Sequence, residues 1–149
     1  MGTQQLLLIV LGVIIVGIAI AVGITIFNNQ AYNNNRQAVA TELNTYGTTA
    51  MQWWKTPVAQ GGAGRNGALL DAATIAKYVG FGSTANSVLE TSTGKFTINS
   101  VATADTSVAI WGIGTDKKGA GYPLVKATVN LVPGTITVDA AGVDADGAF

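Results

Sequence analysis

Apolar and polar positions divide the chain into stretches with different periods. From Leu6 to Phe27 the sequence LLLIVLGVIIVGIAIAVGITIF carries no charge, and the first charged side chain anywhere is Arg36. As a helix rising about 1.5 Å per residue, this run would extend about 33 Å, enough to cross a bilayer core. Beyond Phe27 the character changes to the polar NNQAYNNNRQ. Apolar residues then return at Val39, Leu43, Tyr46, Ala50 and Trp54, in steps of four, three, four and four. That spacing describes one stripe of an amphipathic helix, with Glu42, Asn44, Thr45 and Gln52 away from it. The helix is predicted to reach about Lys55 and to stop at Pro57, whose ring cannot continue the ladder and restrains the residue before it. If the halves are continuous, the rod spans roughly 50 residues or about 75 Å, far longer than a helix of an ordinary globular domain. Asn33, Asn34 and Asn35 have poor helix propensity and are a candidate site of local unwinding, with Gly23 a second.

After Pro57 the segment AQGGAGRNG reads as a flexible glycine loop, and ALLDAATIAKYVGF as a short helix using Leu69, Leu70, Ile75 and Tyr78 and ending at Gly80. The remainder carries strand signals, rich in Val, Ile and Thr and punctuated by Gly, Pro and Asp. The candidate strands are 87–90, 95–101, 107–113, 124–131 and 135–139, and ATVNLVPGTITVD reads as a hairpin turning at Val132-Pro133-Gly134. The economical architecture is α+β: a long N-terminal helix whose amphipathic half packs on a small antiparallel sheet through Val39, Leu43, Tyr46, Ala50 and Trp54. The chain accordingly divides into an apolar transmembrane or filament-core helix (1–27), an amphipathic continuation (28–56) and a surface domain (57–149).

Composition narrows the function. The 149 residues hold eight basic and eight acidic side chains, and this balance without a basic stripe gives no reason to expect a nucleic-acid partner. Cysteine and histidine are both absent, which removes disulfides, thiolate chemistry, the usual zinc sites, attached c-type haem and histidine-based catalytic relays. No enzyme activity and no cofactor are expected. Three readings compete for the apolar run. A cleaved secretory signal calls for a basic start and a shorter apolar core. A permanent single-pass anchor calls for Lys or Arg at its cytoplasmic end, and none precedes Leu6. The third is a helix that waits in the membrane and is then transferred to an assembly of like helices. On that reading Leu6, Leu7, Leu8, Val10, Leu11, Ile14, Ile15, Ile26 and Phe27 supply the packing surface. Gly17 and Ala21, and Ala19 and Gly23, form two small-xxx-small pairs that let helix backbones approach closely.

The uncharged N-terminal helix, its amphipathic continuation, the glycine loop and the small sheet together resemble the type IV pilin superfamily. The resemblance implies a major pilin: the structural subunit of an extracellular helical filament, inserted in the inner membrane and then assembled by a dedicated machinery. Processing by a prepilin peptidase after a glycine is implied as well. Either Gly2 is that glycine, with a leader of Met1-Gly2, or Met1 is the mature start. A pseudopilin of a secretion system and a monomeric single-pass anchored domain are the alternatives. Three departures stand out. The family's glutamate near the start is replaced by Gln4 and Gln5, amides that can pair by hydrogen bonds and cannot offset a buried ammonium charge. The apolar helix lacks an internal proline, and there is no C-terminal disulfide. The helix-then-sheet order nevertheless looks more bacterial than archaeal.

Other chemistry is weaker. The glycine clusters Gly61-Gly62-Ala63-Gly64 and Gly119-Ala120-Gly121 lack the Walker pattern and read as plain loops. Asp139, Asp144 and Asp146 with Gly147 offer oxygen ligands at short spacing, a calcium candidate without the further ligands and closing glutamate of a full loop. Phe27, Tyr32, Tyr46, Trp53 and Trp54 invite a conductive-filament reading, against which stands the use of aromatics for core area and interface belts. Thr91-Ser92-Thr93 is a candidate stretch for O-linked sugar.

Overall fold

A computed structural model describes residues 2–84, 87–119, 121–147 and 149. The alternatives of a leader Met1-Gly2 and of Met1 as the mature start, and the middle of the Gly119-Ala120-Gly121 loop, involve Met1 and Ala120, which lie outside these residues. Helix α1 runs from Gly2 to Lys55, 54 residues without interruption. Neither Gly23 nor the asparagine cluster unwinds it. At the cluster the poor propensity is offset by tertiary bonding: the Asn35 amide nitrogen donates to the Thr93 carbonyl at 2.9 Å and to Thr115 Oγ1 at 3.3 Å, and its oxygen accepts from Asp116 N–H at 3.4 Å.

The end of α1 is closed by the glycine-rich segment, which is an ordered cap. Ala63 and Arg65 N–H donate to the carbonyls of Trp53 and Trp54, and Gly64 N–H to that of Thr56. These are carbonyls that the helix leaves without partners at its terminus. The chain must pass so close that a Cβ on Gly62 would collide with the Thr56 backbone, and Gly61 and Gly64 both adopt positive φ. Two 3-10 turns, Val58–Gln60 and Gly67–Leu69, lead to α2, Ala72–Val79. The short helix starts later than the apolar pattern suggests because Asp71 caps it, accepting from Thr74 N–H, while Gly80 ends it in the left-handed conformation.

Five strands follow as an antiparallel meander in the order β1 (Val88–Glu90), β2 (Gly94–Ala102), β3 (Ser107–Gly114), β4 (Tyr122–Asn130) and β5 (Thr135–Asp144). Tight turns at 103–106 and 131–134 join β2 to β3 and β4 to β5. Strand β5 runs five residues beyond its expected end at Asp139. Its Ala-Ala-Gly tail has little strand propensity, and it is held by pairing with β4 across a register shift between Leu124 and Val125. Strand β4 alternates in burial at every position, Val125, Ala127 and Val129 facing inward.

The inner face of the sheet packs on the upper half of α1. Val39, Leu43 and Ala50 are fully buried, Trp53 and Trp54 nearly so, and Tyr46 is half-buried against the same core. Glycines set the closeness of the two layers. A Cβ on Gly112 would strike Val39 and Phe96, one on Gly114 would strike Asn35 and Pro123, and one on Gly47 would press on Val129 and Ile136 at 3.1 Å. The fold is therefore α+β, a long N-terminal helix laid on a small antiparallel sheet, the pilin-like arrangement expected from the pattern.

Candidate self-association surface

The two halves of α1 meet different surroundings, and this difference defines the site. From Gly2 to Asn28 every residue is exposed. Leu6, Leu7, Leu8, Val10, Leu11, Ile14, Ile15, Ile26 and Phe27 all project with more than half of their surface free, Leu8 at 70% and Phe27 at 69%. Among the described residues nothing folds back over them. Burial of such a side chain away from water is worth about 1.5–3 kcal/mol, so a run of this kind requires lipid or protein around it. Among the described residues α1 is the one helix long and apolar enough to cross a membrane.

Along the same half, Gly12, Gly17 and Gly23 face open space, since a Cβ at any of them would meet nothing within 4 Å. Their small size relieves no crowding inside the monomer. Ala19 and Ala21 are likewise exposed, so the surface around the two small-xxx-small pairs is free on the outside of the rod. The Thr25 hydroxyl donates to the Ala21 carbonyl at 3.0 Å and therefore leaves no free donor in the apolar run. Gln4 and Gln5 sit exposed in the first turns of α1, without side-chain partners among the described residues.

Sequence reasoning missed the polar cluster where α1 enters the domain. Glu42, placed off the apolar stripe, is half-buried and accepts hydrogen bonds from Thr93 Oγ1 at 2.5 Å, Thr91 Oγ1 at 3.3 Å and Tyr46 Oη at 3.4 Å. Together with Asn35 it pins the β1–β2 turn to the helix. Burial and the adjacent Glu42 carboxylate raise the Tyr46 phenol above its ordinary value of 10.0, so it remains a donor at neutral pH. A consequence falls on the Thr91-Ser92-Thr93 stretch: both threonine hydroxyls are engaged with Glu42, and Ser92 alone is exposed. The signal for this cluster was the Thr-x-Thr-Gly turn, which alone does not say what its hydroxyls meet.

The aromatic residues of α1 divide in the same way. Phe27 is exposed, whereas Tyr32, Trp53 and Trp54 are buried and Tyr46 stands edge-on to Phe81 and Phe96 with centroids at 4.9 and 5.1 Å. Tyr32 is covered by the β3–β4 loop, Lys118 lying 5.8 Å from its ring centroid. At the C-terminus Asp139, Asp144 and Asp146 do not gather: no group of three acidic side chains converges among the described residues. Asp139 stands opposite Lys126 in the ladder, and Asp144 Oδ1 accepts from the N–H groups of Asp146 and Gly147, closing a turn.

The surface is one helix wide and, from Leu6 to Phe27, uncharged. Compared with protein-family models, curated proteins and solved structures, the chain finds no match.

Proposed function

We propose that this chain is a structural subunit of a helical filament, a type IV pilin-like major pilin that self-associates through the lower half of α1 and carries its domain on the outside. The observation that supports the reading most is the uncovered apolar run Leu6–Phe27, held on one uninterrupted helix with the domain that must stay in water. In a bilayer, lipid covers it. In a filament, equivalent helices replace the lipid, and Gly17, Ala19, Ala21 and Gly23 let their backbones approach. Because lipid and neighbouring helices are about equally apolar, the transfer is close to balanced and needs an external motor. The assembly machinery and the prepilin peptidase that the family resemblance implies would supply the motor and the processing. Contact between one face of a rod and a different face of the next repeats without closing and gives an open helix.

The test is electron microscopy of material sheared from cells, with peptide mass spectrometry of the same fraction. Regular thin filaments containing this chain as the dominant peptide are the expected result. Recovery only from detergent-solubilised membranes would assign the chain to the single-pass anchors. Short, scarce assemblies tied to a secretion complex would assign it to the pseudopilins.

A further inference from the structure

The domain reaches furthest down α1 through a charged loop. Tyr32 is the first buried residue of the helix, and Lys118 of the β3–β4 loop lies 5.8 Å from its ring centroid. The rest of that loop meets α1 higher up, Thr115 and Asp116 bonding to Asn35, about 4.5 Å further along the axis. Lys117 lies 5.5 Å from the ring centroid of Tyr122, where β4 begins. Both lysines are exposed, and among the described residues neither forms an ion pair. Of the acidic groups at this end, Asp116 is tied through its N–H to Asn35, and Asp144 is engaged by the N–H groups of Asp146 and Gly147. Asp146 lines a groove with Lys95, Ile113 and Tyr122 on the sheet.

We propose that Lys117 and Lys118 bind the phosphate groups of lipid headgroups, on the domain's side of a bilayer, while Leu6–Phe27 spans it. The inference rests on the membrane-inserted stage, which the filament and single-pass readings share, and not on assembly. The run is about 33 Å long against a hydrocarbon core of about 30 Å, so it has little room to slide. Polar Gln4 and Gln5 bracket it at one end and Asn28 and Asn29 at the other. Phe27 therefore stands at the edge of the hydrocarbon, and Tyr32 about 7.5 Å beyond it along the axis. The headgroup layer is about 5–7 Å thick on each side. The unbroken helix carries that height into the domain, and the place of Lys118 on Tyr32 holds its ammonium at the level of the phosphates. A lysine lays its stem along an apolar surface and extends a compact charge toward polar groups, so both side chains reach the layer without moving the loop. Basic groups at this level are attracted to anionic lipid and the attraction fades within a Debye length. Arg36, the first charge on α1, is about 13.5 Å beyond Phe27 and so stands above the headgroups, where it lines the groove between α1 and β5. The domain is thereby seated on the bilayer by its β3–β4 loop.

Solid-state NMR of the full chain tests this, with isotope-labelled nitrogen in its six lysines and reconstitution in vesicles of phosphatidylcholine and phosphatidylglycerol. Two lysine ammonium signals are expected to be attenuated by lipid phosphorus, as an N–H···O bond to phosphate of about 2.8 Å requires. Both should vanish in the variant combining Lys117→Gln and Lys118→Gln, with the remaining lysine signals unattenuated and in place. A wild-type spectrum in which lipid phosphorus attenuates no lysine would overturn the inference. So would attenuated signals that persist in the double variant, since they would belong to other lysines. Failure of the wild-type chain to float with the vesicles would overturn the membrane-inserted stage itself, a result read before any spectrum and distinguishable from the other two.

Discussion

Above Tyr32, helix α1 is half of a finished core; below it, the same helix is apolar all round and left uncovered by the described residues. Both halves share one backbone hydrogen-bond ladder. The upper half repeats its apolar residues at helical spacing and buries them against β3 and β4. The lower half is apolar on every side and buries none. A periodic stripe therefore announces a partner within the chain, whereas apolar residues all round announce surroundings, lipid or protein, that the fold does not supply.

The most severe way to break this contrast is at Gly17. Gly17→Leu is expected to abolish filament assembly while leaving membrane insertion and domain melting as in the wild type, because the added side chain meets nothing within the monomer. Unaltered filaments in negative-stain images would refute close packing at this position. The converse lesion is Trp53→Ala, at a side chain 1% exposed, which should destabilise the domain by about 3–5 kcal/mol in denaturant titrations in detergent and leave insertion intact. Trp53→Phe should cost distinctly less, since it keeps an aromatic ring in the core and the indole N–H it gives up is, among the described residues, buried without a partner.

Asn35→Ala probes the boundary between the halves. It would leave the Thr93 carbonyl and the Asp116 N–H without this partner, at a cost of about 1–3 kcal/mol, with helix content by circular dichroism unchanged. The smallest effect belongs to Tyr46. Its folded-state pKa is raised above 10.0, so its contribution to stability is complete below that unfolded value and is lost as pH rises through the folded one. Melting temperature should fall more steeply above pH 10 in the wild type than in Tyr46→Phe, and an identical alkaline slope in the two would remove Tyr46 as the cause.

Legibility in the sequence follows the same division. The stripe Val39, Leu43, Ala50 and Trp54 was readable because a buried helix face must repeat near every 3.6 residues, and the β4–β5 hairpin because Pro-Gly fixes its turn. Asn35 and Glu42 were not readable. A polar residue within a polar run carries no period, and whether it meets water or a distant turn depends on contacts more than 45 residues away in sequence. The glycine segment at 61–64 misled for a related reason: glycine permits mobility and close approach alike, and here the carbonyls at the end of α1 select the second. The end of β5 was missed because Ala and Gly report no strand preference when pairing with β4 alone holds them. For the apolar run Leu6–Phe27, the sequence shows which residues need covering, and the fold leaves them uncovered among the described residues.

The unbroken ladder of α1 also makes the molecule a torsion shaft. With no proline or unwound turn between Leu6 and Lys55, the azimuth of the lower half dictates that of the sheet above it. Any contact that fixes how the apolar rod is rotated among its neighbours therefore decides which way the outer sheet face, with Lys126 set 5.7 Å from the Trp111 ring centroid, is turned toward the surroundings. What a filament displays would be chosen several nanometres below its surface, by residues that never reach it.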